Sequence, residues 1–184
     1  AYLLSPNGKA ITGIPLTEEA ALQAPAWSGL VAGELHAEVD SGRPRVFDLH
    51  AALGGGSAAE VGRLRFAAFD LITDGATDAQ VLPFVARVQR LQAIFGSGQL
   101  ARCVPFEETP DATAVQECFD RVVTTGGAEG LVVRSIDGRI FKIKPEISID
   151  AAVVAYGESG NGVSELLLAL LTADGDFQLI GRVR

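Results

Sequence analysis

The sequence predicts an α+β fold, and three observations carry that prediction. The turn sequences PNGK at 6–9 and IDGR at 136–139 each separate short apolar runs, as antiparallel hairpins do. Two segments, 81–95 and 111–124, read as helices. After Pro145, three strand-like segments follow one another through Gly-rich turns with no helix, a β-meander.

The elements follow in order. AYLLS is a short strand leading into its hairpin. TEEAALQA starts on a capping threonine, Thr17, carries acidic residues in its first turn and stops before Pro25, so it reads as a short helix. LVAGELHAEV alternates, with Leu35, Ala37 and Val39 on one face and Glu34, His36 and Glu38 on the other, the pattern of a half-buried strand. VFDLHAAL reads as a helix and GGGS as the loop after it. LRFAAFDLIT is nearly continuous in apolar character, which predicts a strand covered on both sides. Val81, Val85, Val88, Leu91 and Phe95 trace one face of the next helix, whose proline is tolerated in a first turn. ARCVPF is a short strand, and DATAVQECFDRVVT a helix capped by Asp111. GLVVRS and GRIFKIKP form a two-stranded antiparallel unit; IDAAVVAYGE, SELLLALLTADG and DFQLIGRV complete the chain. A domain boundary is expected near 145–149, giving 1–147 and 148–184.

Composition narrows the classes. With 184 residues, 48% hydrophobic and 21% charged, the chain is long enough to bury a core and reads as globular. Its longest apolar run, LLLALL at 166–171, is far short of a membrane span. A formal charge of −8 argues against nucleic-acid binding over the whole surface but leaves room for a local basic site. Cys103 and Cys118 have no metal-site spacing and are expected as small buried residues in a reducing compartment. The sequence has no Met, so Ala1 is not a translational start, and a processed or truncated piece of a longer protein is expected.

Lysine is scarce: it occurs only at Lys9, Lys142 and Lys144. On a strand, Lys142 and Lys144 project to one face with Cα atoms about 6.6 Å apart. Two such charges repel by roughly 0.6 kcal/mol in water, and an anion between them, most simply a phosphate, relieves that repulsion. An isolated KxK is more often a solvated strand face. Glu129 stands at the start of the paired strand, among Gly126, Gly127 and Gly130, where ligand or backbone can approach closely. Such a carboxylate can hold a ribose hydroxyl or a Mg²⁺ ion.

EGLVVR followed by FKIKP resembles the paired central motifs of the covalent nucleotidyltransferases: ATP-dependent DNA ligases, RNA ligases and mRNA capping enzymes. AGELHAE looks like that superfamily's "(D)GE" strand, with Glu34; RFAAFDLITDG looks like its aromatic strand, with Phe69. IDAAVVAYGES through LIGRV is similar to the start of the oligonucleotide-binding (OB) barrel that follows in ATP-dependent DNA ligases. The resemblance implies a nucleotidyltransferase, ATP-grasp-like domain of antiparallel sheets with flanking helices, then the first strands of an OB-fold. It implies that Glu34 contacts the ribose of ATP or AMP and that Phe69 stacks on adenine. Glu129 then acts at the ribose or the catalytic Mg²⁺, while Lys142 and Lys144 hold the α-phosphate and neutralise its developing charge. The implied activity is nick sealing in duplex DNA through lysyl-AMP and DNA-adenylate, by a cytoplasmic monomer with no membrane partner.

Departures from the pattern are as specific. The superfamily's nucleophile is the lysine of KxDG, and no KxDG occurs; Lys9, in NGKAITG, reads as a hairpin-tip surface lysine. AYLLS resembles the strand that follows KxDG, so the sequence is expected to begin just after the nucleophile. Pro6 stands where the family often has arginine, and Ala32 where it has aspartate. The barrel is incomplete and its lysine-rich last motif absent. Two other readings stay open: an RNA ligase or capping-type enzyme, and a non-catalytic binding module of the same fold.

Overall fold

The computed structural model describes every residue except Arg43, Ile147 and Asn161, and divides the chain into Ala1–Glu108 and Thr109–Arg184. In the first unit, β1 (Leu3–Leu4) pairs antiparallel with β2 (Ala10–Ile11), and Lys9 is exposed at the turn. Helix α1 (Pro15–Gln23) starts two residues before Thr17, because Pro15 with its fixed φ occupies the first helical position. Thr17 caps from within: its Oγ1 accepts from Ile14 N and donates to Ile14 O.

The framework is a sheet of β3 (Gly29–Ala37), β4 (Leu64–Asp74), β5 (Thr77–Asp78) and β6 (Ala101–Cys103). β4 lies between β3 and β6, antiparallel to the first and parallel to the second, so one ladder departs from the expected all-antiparallel arrangement. The parallel pairing follows from the long connection through α4 (Phe84–Phe95), a crossover that a tight hairpin cannot replace. Cover along β4 is uneven: Leu64, Ala68, Asp70 and Leu71 are buried, whereas Phe69 is 42% exposed. The expectation of burial on both sides therefore fails at Phe69, the one exposed residue of the strand.

Helix α2 (Val46–Leu53) forms where expected, and α3 (Ala58–Gly62) follows it. Ser57 and Glu60 cap α3 reciprocally, an S-x-x-E signal that the sequence reading passed over. Val81 is not part of α4. It lies in a preceding 3-10 turn, Ala79–Val81, at 76% exposure, and Val88, Leu91, Ile94 and Phe95 supply the buried face. Val39 lies beyond the end of β3.

The second unit begins with α5 (Ala112–Phe119), where Asp111 Oδ1 accepts from Ala114 N. The helix continues as a π-helical segment, Asp120–Thr125. β7 (Leu131–Arg134) and β8 (Ile140–Ile143) form the expected hairpin. β9 (Ala152–Ser159), β10 (Gly162–Leu171) and β11 (Phe177–Val183) form an antiparallel meander in the order β11-β10-β9. The sequence-read boundary falls inside this unit, between β8 and β9, and Ile147 itself lies outside the described residues.

Candidate nucleotide-binding residues

Two groups of candidate residues lie in different units. In the first, the face of the sheet turned away from α4 carries Glu34, which is exposed and opposite Ala67 in the β3–β4 register. The ladder pairs Gly33 with Ala68 and Ala32 with Asp70, so Phe69 is left without an opposite residue and sits in a β-bulge. Bulges re-aim side chains, and this one leaves the Phe69 ring exposed two residues along from Ala67, on the Glu34 side. Asp70 next to it, opposite Ala32, is buried and takes a two-pronged ion pair from Arg87 of α4, Nε to Oδ1 at 2.7 Å and Nη2 to Oδ2 at 3.2 Å. Arg87 also lies over the Phe84 ring, 5.4 Å from its centre. Phe69 is thus held by a strand anchored through its immediate neighbour.

In the second unit, Lys142 lies in β8 opposite Val132, and Lys144 lies one residue past the strand's end. Both are exposed. Lys144 Nζ is ion-paired with Glu129 Oε1, with 55% and 68% of the two side chains accessible. Gly130 makes this possible: a Cβ there would stand 2.3 Å from Ile143 O, so only glycine lets the start of β7 come this close to the end of β8. Gly127, at φ 72°, ends the helix with the left-handed residue that turns the chain toward Glu129. Sequence reasoning placed the carboxylate beside the lysines but not in contact with one of them.

Both cysteines are free and half-buried rather than buried. Burial pushes the Cys103 thiol up from its ordinary range. Among the described residues no group of three or more His, Cys, Asp or Glu could hold a metal ion, and no helix is long and apolar enough to cross a membrane.

No family model matches the chain. It is 27% identical over 187 residues to a protein of Streptomyces coelicolor described as a probable DNA ligase, covering 92% of this chain and 36% of the relative. It therefore spans about a third of that relative's length. Two solved structures share its fold. A mycobacterial DNA ligase D complexed with ATP and MES matches with a TM-score of 0.58 at 21% identity, covering 99% of this chain and 59% of that one. The ligase domain of M. tuberculosis LigD matches with a TM-score of 0.52 at 20% identity over the same shares. The chain thus has the fold of the ligase domain of DNA ligase D, and its similarity to a probable DNA ligase extends over nearly its whole length.

Proposed function

We propose that the chain is part of an ATP-dependent DNA ligase and supplies most of its nucleotide-binding residues. The observation that carries the reading is the Lys142–Lys144–Glu129 cluster on one hairpin, within a chain that has the ligase-domain fold. In this reading Lys142 and Lys144 bind the α-phosphate, Glu34 the ribose and Phe69 the adenine. A neighbouring structure that contains ATP supports the choice of nucleotide. The substrate is a nick in duplex DNA, and the parent protein acts as a monomer in the cytoplasm, in DNA repair, recombination or replication.

Mg²⁺ fits here only as a shared ligand. Glu129 is a single carboxylate already engaged by Lys144, whereas Mg²⁺ is commonly bound by one or two carboxylates together with substrate phosphates. Glu129 would supply that one protein oxygen, and the ion would neutralise charge on the phosphates. The meander of β9 to β11 is assigned as the start of an OB barrel, with residues 1–147 as the adenylation domain. Support comes from bulges in both ladders of β10, between Leu167 and Leu168 and between Leu168 and Ala169, which coil a sheet in the way a barrel needs.

The nucleophilic lysine of KxDG is not in this sequence. Incubated with labelled ATP and then denatured, the 184-residue chain should retain no label; retained label would overturn the assignment of the nucleophile. In the parent enzyme Lys142→Ala should abolish nick sealing, and normal sealing would refute the phosphate role of Lys142.

A further inference from the structure

We infer that Arg102 is a further nucleotide-contacting residue, acting on the nucleoside rather than the phosphates. The inference rests on the proposed roles of Glu34 and Phe69. The ladders place Glu34, Ala67 and Arg102 in one row across β3, β4 and β6, because Glu34 pairs with Ala67 and Ala67 with Arg102. Residues paired in this way project to the same face. The alternative face accounts for the rest of the pattern: Leu35, Phe66 and Ala101 form the adjoining row and all belong to the core.

Glu34 and Arg102 are both exposed, and among the described residues neither has an ion-pair or hydrogen-bond partner. Their Cα atoms stand two strand spacings apart, about 10 Å. Between them lies only the methyl group of Ala67. A carboxylate, a methyl group and a guanidinium thus share one row across three strands, and Phe69 stands exposed on the same side two residues along β4. If the Phe69 ring carries the base and Glu34 accepts from the ribose hydroxyls, Arg102 in the same row supplies donors. Guanidinium has five N–H donors and no acceptor, which suits the ring nitrogens of a purine edge. The α-phosphate is already assigned to Lys142 and Lys144, on β8 and just beyond it, which leaves the nucleoside as the target proposed for Arg102.

The test is calorimetric titration of the 184-residue chain with AMP and, separately, with pyrophosphate. Arg102→Gln should weaken AMP binding about tenfold, the size expected for one lost hydrogen bond of this kind, and leave pyrophosphate unchanged. Arg102→Lys, which keeps the charge and loses the fork, should bind AMP more weakly than the unaltered chain. An Arg102→Gln variant that loses pyrophosphate affinity overturns the nucleoside assignment in favour of a phosphate contact. If Phe69→Ala weakens AMP binding and Arg102→Gln does not, the role of Arg102 fails while the nucleotide reading stands. If the unaltered chain binds no AMP, or neither substitution changes its binding, both fail together.

Discussion

Lys144 is ion-paired with Glu129 beside the β7–β8 hairpin, whereas Lys142, two residues away, has no partner among the described residues. The two lysines that looked equivalent in the sequence are therefore in different electrostatic situations. Because the pair is more than half exposed on both sides, its worth to folding is about 0–1 kcal/mol. Lys144→Gln should accordingly shift the urea midpoint by less than about 1 kcal/mol equivalent. Equilibrium unfolding checks this, and a larger loss would mean that the pair holds the hairpin together. A small shift would also mean that any loss of nucleotide binding in this variant is a matter of chemistry and not of folding.

The Asp70–Arg87 pair is the opposite case. The side chains are only 13% and 11% exposed, and the guanidinium engages both carboxylate oxygens. Removing one partner leaves a charge in a poorly solvated place, so Arg87→Ala should cost about 3 kcal/mol in urea unfolding. Asp70→Asn combined with Arg87→Gln should cost less than the sum of the single changes, since the two act on one interaction. Additive losses would show that the pair is not coupled.

These contrasts mark where the sequence was informative. Hairpins, the main strands and both long helices were legible because each is local: turn residues at fixed spacing and an apolar period suffice. Lys142, Lys144 and Glu129 were legible as neighbours for the same reason, since one hairpin carries all three. The bulge at Phe69 was not, because it depends on how many residues β3 sets against β4, and no local pattern records that count. Arg102 was missed because its face is fixed by a parallel ladder to a strand more than 30 residues away in sequence. Glu19 was read only as first-turn charge, yet it has a long-range role.

Glu19 Oε1 accepts backbone N–H bonds from Gln99, Leu100 and Ala101 at 3.0, 2.7 and 2.9 Å. One carboxylate oxygen on α1 thereby satisfies three successive donors leading into β6. Gln23 Nε2 adds a bond to Ala101 O at 2.9 Å. Glu19→Ala strands those donors, each in a part-buried or exposed setting where water compensates in part, and should cost about 2–3 kcal/mol. Glu19→Gln keeps an acceptor oxygen and should recover at least half of the loss. Hydrogen exchange at Leu100 and Ala101 is the local readout: faster exchange is expected in the alanine variant, and unchanged protection would refute the anchoring role.

Asp74 offers a pH-dependent test near the same sheet. Its carboxylate accepts from Arg90 Nε at 2.7 Å and from the Trp27 indole N–H at 2.7 Å, and these bonds, Arg90 first, hold its pKa below the usual aspartate value. A carboxyl group whose folded pKa is depressed stabilises the native state fully above its unfolded pKa. That contribution is lost as pH falls through the folded pKa. Asp74→Asn should therefore be less stable than the unaltered chain at neutral pH, with the difference shrinking as pH drops below the ordinary aspartate range. Urea midpoints of both proteins across that range measure the gap. Trp27 is the sole tryptophan, so its fluorescence reports on the same bond directly. Its emission should change with acid in the unaltered chain before global unfolding and stay constant over that interval in Asp74→Asn. A stability difference that does not vary with pH would remove Asp74 from the groups that titrate with folding.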